Sequence, residues 1–144
     1  MTSKLIYLTY QTFPANTANS LQTITMLKYF SRSSYDVELI FPNRADNSSG
    51  DIEILQKHYD FKESYDVTLT KHNYPFRDYK TKVYFTKLRF HISHFLWSLN
   101  VVKRVTDDQK SDTLFFTRSD WVFYFLSKKN KNVTFECHQT SIIR

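Results

Sequence analysis

Glycine is nearly missing from this chain. One residue, Gly50, occurs in 144, where ordinary usage of roughly 7% gives about ten. A dinucleotide fingerprint or a P-loop needs several glycines so that backbone N–H groups can close on a phosphate, and neither can be written here. Cysteine is equally scarce. Cys137 stands alone, which excludes an internal disulfide and zinc sites of the finger or ribbon type. Neither a metal nor a resident cofactor is expected. Long apolar runs are absent too: none approaches the ~20 residues of a membrane span. The opening MTSKLIYLTYQTFP has an apolar run too short and too polar for a signal peptide. Cytoplasmic placement is therefore the expectation, and the sequons at Asn47 and Asn132 read as chance matches.

What the chain does have is aromatic residues and positive charge. Thirteen Phe and ten Tyr raise the aromatic share to 17%, within a hydrophobic content of 41% and a charged content of 24%. That composition and length suit one soluble globular domain with a real core. The formal net charge of +6 favours an anionic partner: a nucleotide, a phospholipid surface or nucleic acid. A merely solubilising basic surface accounts for it equally well.

The order of elements is the main structural signal. KLIYLTY (residues 4–10) is a short β-rich run suited to a buried strand. After a loop marked by Pro14, residues 18–33 carry Leu21, Ile24, Leu27 and Phe30 at helical spacing. DVELIF (36–41) is a second strand stopped by Pro42. Residues 43–50 are polar and loop-like, and Asp51 suits the N-cap of a short helix to His58. YDVTLT (65–70) is a third strand, followed by an irregular stretch to Lys80. In residues 82–104, Phe85, Leu88, Ile92, Phe95, Leu99 and Val102 recur at intervals of three and four, which predicts a long helix with this row as its main apolar face. TLFFT (113–117) is a fourth strand, Ser119 or Asp120 caps a helix through Leu126, and NVTFEC (132–137) is a fifth strand. Strands alternating with helices predict an α/β fold, a Rossmann-like open parallel sheet of about five strands with helices on both faces. The chain stops at Arg144 after a strand with no helix to cover it, so residues 1–144 are expected to form a domain incomplete at its C-terminal end.

Open parallel sheets bind ligands beyond the C-terminal ends of their strands, at the topological switch point. Three segments qualify. QTFPANTAN (11–19) leads into a helix N-terminus suited to a phosphate or carboxylate, with Asn16, Thr17 and Asn19 adding polar side chains. An ordinary loop whose Asn and Ser cap the helix fits the same residues. Arg118 is placed to hold an anion, or an acidic residue in a structural ion pair. Glu136 and His138 lie two apart in an extended chain and share a face. His138 is then able to donate to a substrate oxygen, or simply to cap the strand end. Cys137 is expected to point into the core.

The segments IYLTYQTFPANTANSLQTITMLKYFSRSSYDVELIFP and DTLFFTRSDWVFYFLSKKNKNVTFECHQT together resemble the N-terminal domain of family 4 glycosyltransferases, two-domain GT-B enzymes. The likeness lies in the ordered set: a first strand, a Pro-containing loop, a helix, a short strand, then a strand ending in Thr-Arg and another in Glu-x-His. It is weakest between Pro42 and Lys110. The resemblance implies a full-length enzyme of hexosyltransferase type that moves a sugar from a nucleotide-sugar donor to a glycan or lipid-linked acceptor with retention. It implies that the donor-binding C-terminal domain is absent, and that the fragment alone is inactive. It implies that Phe13, Pro14, Asn16 and Thr17 face the donor diphosphate and acceptor, that Arg118 lines the same cleft, and that His138 sits beside the transferred sugar as the catalytic residue. Many members have glycine in the loop after the first strand, where this chain has Pro14-Ala15-Asn16-Thr17. No catalytic base can be named.

Two readings stay open beside this one. Phe90, Trp97 and Val101 lie opposite the main apolar row of the long helix, flanked by Lys87, His94 and Arg104. Exposed, this stripe suits peripheral docking on the inner face of an anionic membrane through Phe90, Trp97 and Arg104; otherwise it is buried against a loop or the missing part of the chain. As a class, the alternative to a transferase is a non-catalytic Rossmann- or flavodoxin-like module for anions or nucleic acid, although no nucleic-acid recognition motif is visible.

Overall fold

A computed structural model of the chain describes residues 3–72, 86–107 and 112–137. They form an α/β domain with β1 (Ser3–Leu8), α1 (Ala18–Ser31), β2 (Tyr35–Pro42), α2 (Ile52–Tyr59), β3 (Asp66–Thr70), α3 (Thr86–Asp107), β4 (Leu114–Thr117), α4 (Asp120–Lys128) and β5 (Val133–Phe135). The five strands make one parallel sheet in the order β3-β2-β1-β4-β5. This is the Rossmann-like arrangement expected, and the strand order reverses between β1 and β4.

Strand β1 shows how the sequence sets two layers. Leu5 and Tyr7 point to one face and join Ile24 and Leu27 of α1 and Leu55 of α2. Ile6 and Leu8 point to the other, with Trp97, Val101 and Val102 of α3 and Val122 and Leu126 of α4. All four β1 residues are fully buried, so the run is continuously apolar, as a strand covered on both faces requires. Helix starts follow local chemistry. The side chains of Thr17, Asp51 and Ser119 accept from the backbone N–H of Ser20, Glu53 and Val122, satisfying donors that a helix leaves open. Pro42 does not stop β2 before itself. It is the last strand residue, in register with Thr70. The lone glycine lies close to β3: a Cβ at Gly50 would stand 3.1 Å from Leu69 Cβ, so a side chain there would have to press Leu69 aside.

Helix α3 corrects one expectation. Its inward residues are Ser93, Trp97, Ser98, Val101, Val102 and Val105. Of the predicted apolar row, Leu88, Ile92 and Leu99 are 54%, 46% and 43% exposed, Val102 is buried, and Phe85 lies outside the described residues. Trp97 and Phe90 are therefore not a docking stripe. Trp97 is 2% exposed and donates from Nε1 to Thr70 Oγ1 at 2.8 Å; Phe90 packs its ring 5.4 Å from that of Tyr10. Arg104 alone of the three lies at the surface, on the rim of a 460 Å³ groove between α3 and the end of β3 that Trp97, Thr70 and Lys71 also line. No helix among the described residues is long and apolar enough to cross a membrane.

Candidate functional site

The crevice at the switch point is built from the loop after β1, the start of α1, and the ends of β4 and β5. Thr17 caps α1, its Oγ1 accepting from Ser20 N at 3.1 Å and meeting Ser20 Oγ at 2.7 Å. The cap leaves Asn16, Thr17, Ala18 and Asn19 exposed. The loop is held from below. Tyr59 Oη donates to the Ala15 carbonyl at 2.8 Å and accepts from Ala15 N at 2.7 Å, and Asn16 Oδ1 lies 2.9 Å from His58 Nε2. The Pro14 carbonyl accepts from Asn47 Nδ2 at 3.4 Å. Helix α2 thus fixes the loop's geometry from forty residues away in sequence.

Phe13 does not face this crevice. Its side chain is fully buried and meets Phe41 edge-on, ring centroids 5.0 Å apart, because an aromatic next to a β-strand end gains more from the core than from water. Phe13 anchors the loop and offers no side chain to a ligand.

Arg118 follows β4 and reaches back across the crevice. Its guanidinium donates to the Asn19 carbonyl at 3.1 Å, to Asn19 Oδ1 and Gln22 Oε1 at 3.4 Å, and to Thr23 Oγ1 at 3.5 Å. Nε lies 3.7 Å from Glu136 Oε2, with the two side chains 7% and 17% exposed. Glu136 also accepts from Gln22 Nε2 at 3.0 Å and from the buried Tyr7 hydroxyl at 3.4 Å. Burial pushes the Tyr7 phenol above its ordinary range, and the Glu136 charge adds to this. Arg118 and Glu136 are thus brought together with Asn19, and of the two roles open to Arg118 the structural ion pair is the one realised. The arrangement ties α1 to the ends of β4 and β5 and presents a polar, nearly neutral floor under the exposed cap of α1. Cys137 is exposed rather than in the core, because β5 ends at Phe135 and the alternation that would turn the thiol inward is lost. His138 lies outside the described residues.

Sequence reasoning missed a second polar cluster on the α3 side of the sheet. Tyr10 Oη lies 2.6 Å from His72 Nε2, and the Tyr10 ring stacks on His94 at 4.3 Å. The Arg44 guanidinium covers the same Tyr10 ring at 4.2 Å and the Phe90 ring at 5.1 Å, and donates to the Tyr10 carbonyl. His94 Nε2 and Ser119 Oγ share a hydrogen bond of 2.6 Å. The Ser–His pair is not an exposed nucleophile and base. Ser119 is 5% exposed, and its oxygen already accepts from Val122 N as the α4 cap. The residues carrying this cluster are scattered over five segments, so no local spacing announces it.

Burial holds the His94 imidazole down at about 3, with Arg44 and His91 nearby adding to the effect. An unfolded histidine takes up its proton near pH 6.5. The folded state therefore binds fewer protons in between, and the stability this group contributes is present above about pH 6.5 and lost as pH falls towards 3. The urea midpoint is expected to drop across that window. His94→Gln, which keeps a hydrogen-bonding partner for Ser119 and cannot titrate, is expected to make the drop shallower. An unchanged slope in the variant assigns the pH dependence to other groups.

No family model matches the chain, and no curated protein matches it. Among solved structures it is similar to the N-terminal domain of trehalose-6-phosphate phosphatase from Candida albicans, with a TM-score of 0.56 and 9% identity. The match covers 94% of this chain and 33% of that one. What the two share is the Rossmann-like α/β fold. This chain thus spans about a third of the length of the structure it matches.

Proposed function

We propose that this chain is the acceptor-side N-terminal domain of a GT-B glycosyltransferase, whose full-length form transfers a hexose from a nucleotide-sugar donor to a glycan or lipid-linked acceptor with retention. The observation that supports the reading is that the loop 14–19, Arg118 after β4 and Glu136 after β5 come together at the switch point of the sheet, where open α/β sheets take their ligands. Asn16, Thr17 and Asn19 are the side chains offered to a ligand, and the capped N-terminus of α1 favours a negative or oxygen-rich group there. Pro14 shapes their loop. Arg118 and Glu136 position Asn19 and Gln22 without taking the ligand's charge themselves. His138 stands beside the sugar by the family resemblance. The paired domain would supply the donor pocket and close the crevice against water.

The test is the complete reading frame. It is expected to continue into a second α/β domain, and the purified full-length protein is expected to release nucleoside diphosphate from UDP-, GDP- or ADP-activated hexoses when acceptor is present. A second α/β domain whose protein binds none of these donors defeats the reading. Binding of random oligonucleotides that weakens steeply with salt, with no nucleotide-sugar binding, assigns the fold to an anion- or nucleic-acid-binding module instead.

A further inference from the structure

The apolar row on the outside of α3 does not stand alone. Leu88, Ile92 and Leu99 are exposed, as is Tyr124 of α4 at 48%. Phe95, partly buried, joins the two helices into one surface: its ring meets Trp121 edge-on at 4.9 Å and Phe125 at 5.3 Å. Trp121 and Tyr124 continue the aromatic contact along α4. A contiguous aliphatic and aromatic ridge of this kind is unusual on a protein that meets only water.

Basic residues predominate around the ridge. From Thr86 to Thr106, α3 has no acidic residue, while Lys87, Arg89 and Lys103 are exposed. On α4, Lys128 holds its ammonium 5.7 Å from the Tyr124 ring centre. Asp107 and Asp120 are the exposed acidic exceptions, at the end of α3 and the start of α4. A second copy of this face would set like charges against each other. A surface rich in negative charge, with an apolar layer beneath it, complements both features.

We propose that the outer face of the α3–α4 pair docks on an anionic lipid bilayer. Leu88, Ile92, Leu99, Trp121 and Tyr124 enter the headgroup–acyl boundary, and Lys87, Lys103 and Lys128 stay at headgroup level, extending their alkyl chains along the ridge. Docking is carried by an outward face opposite the inward stripe that holds Trp97, and it stands whether or not the chain belongs to a glycosyltransferase.

The 144-residue chain is expected to float with vesicles of phosphatidylcholine rich in phosphatidylglycerol, to release them at high salt, and to ignore pure phosphatidylcholine. Trp121 emission shifts to the blue on binding. Ile92→Gln with Leu99→Gln, at exposed positions, keeps the circular dichroism of the parent and weakens binding about tenfold or more. Lys103→Glu with Lys128→Glu leaves the apolar ridge whole and weakens it about fivefold or more per charge. Failure of the parent chain to bind anionic vesicles overturns the proposal. So does equal binding by either double variant. A dimer in analytical ultracentrifugation that Ile92→Gln with Leu99→Gln dissociates gives the face to a second copy and overturns it as well.

Discussion

Trp97→Ala is expected to lower the unfolding free energy by about 3–5 kcal/mol, the range for deleting a buried large aromatic. The ring is among the largest fully buried side chains, packed with Ile6, Leu8, Ile40 and Phe115 under α3. Its loss opens a cavity that a five-stranded sheet cannot close, and it strips Thr70 Oγ1 of a donor. Thr70 in turn donates to the Phe41 carbonyl at 3.1 Å, so the damage reaches the β2–β3 pairing. Leu99→Ala, two residues along the same helix, is the control. At 43% exposure it should cost less than about 1 kcal/mol. Urea unfolding of both proteins decides the matter: comparable midpoints would mean that α3 has been placed with the wrong face inward.

Arg118→Ala is expected to cost about 2–4 kcal/mol, less than for a fully buried pair because the site is partly solvated. The loss removes five contacts at once: those to Glu136, to the Asn19 carbonyl and side chain, to Gln22 and to Thr23. It also takes the Arg118 cation away from the Glu136 carboxylate, which accepts from the buried Tyr7 hydroxyl. Replacing both members, as Arg118→Met with Glu136→Leu, should be less damaging than the sum of the single changes, since no uncompensated charge remains. The outcome separates two roles. A strut loses stability on mutation at any ligand concentration. An anion-binding arginine would leave the free protein's unfolding midpoint unchanged and lose only the extra stability that ligand confers.

Much of the fold was legible because the signals were local. The continuous apolar runs of β1 and β2, the capping residues Asp51 and Ser119, and the alternation of strands with helices each rest on a few neighbouring residues. Together they fix a parallel sheet with its ligand edge at the C-terminal ends of the strands. The candidate crevice was legible in part for the same reason: the switch-point rule selected the loop after β1 and the residues after β4 and β5. The family resemblance turned Phe13 towards the ligand, whereas its side chain is buried, because a loop's sequence does not say which side chain becomes its anchor.

Helix α3 failed on different grounds. The row Phe90, Ser93, His94, Trp97, Ser98, Val101 and Val105 has helical spacing as good as that of Leu88, Ile92, Phe95 and Leu99. Two serines and a histidine made it look less apolar. The sheet decides in its favour: small Ser93 and Ser98, fully buried, let the helix approach closely, Thr70 accepts from the Trp97 ring, and Tyr10 stacks on His94. Amino-acid order by itself determined the fold class, the sheet's polarity and the place of the crevice, since these follow from periodicity and capping within single elements. Which face of α3 is covered, that Arg118 is spent on Glu136 and α1, and that Tyr10, Arg44, His72, His94 and Ser119 meet at all were decided only by the tertiary structure, because each depends on groups brought together from distant segments.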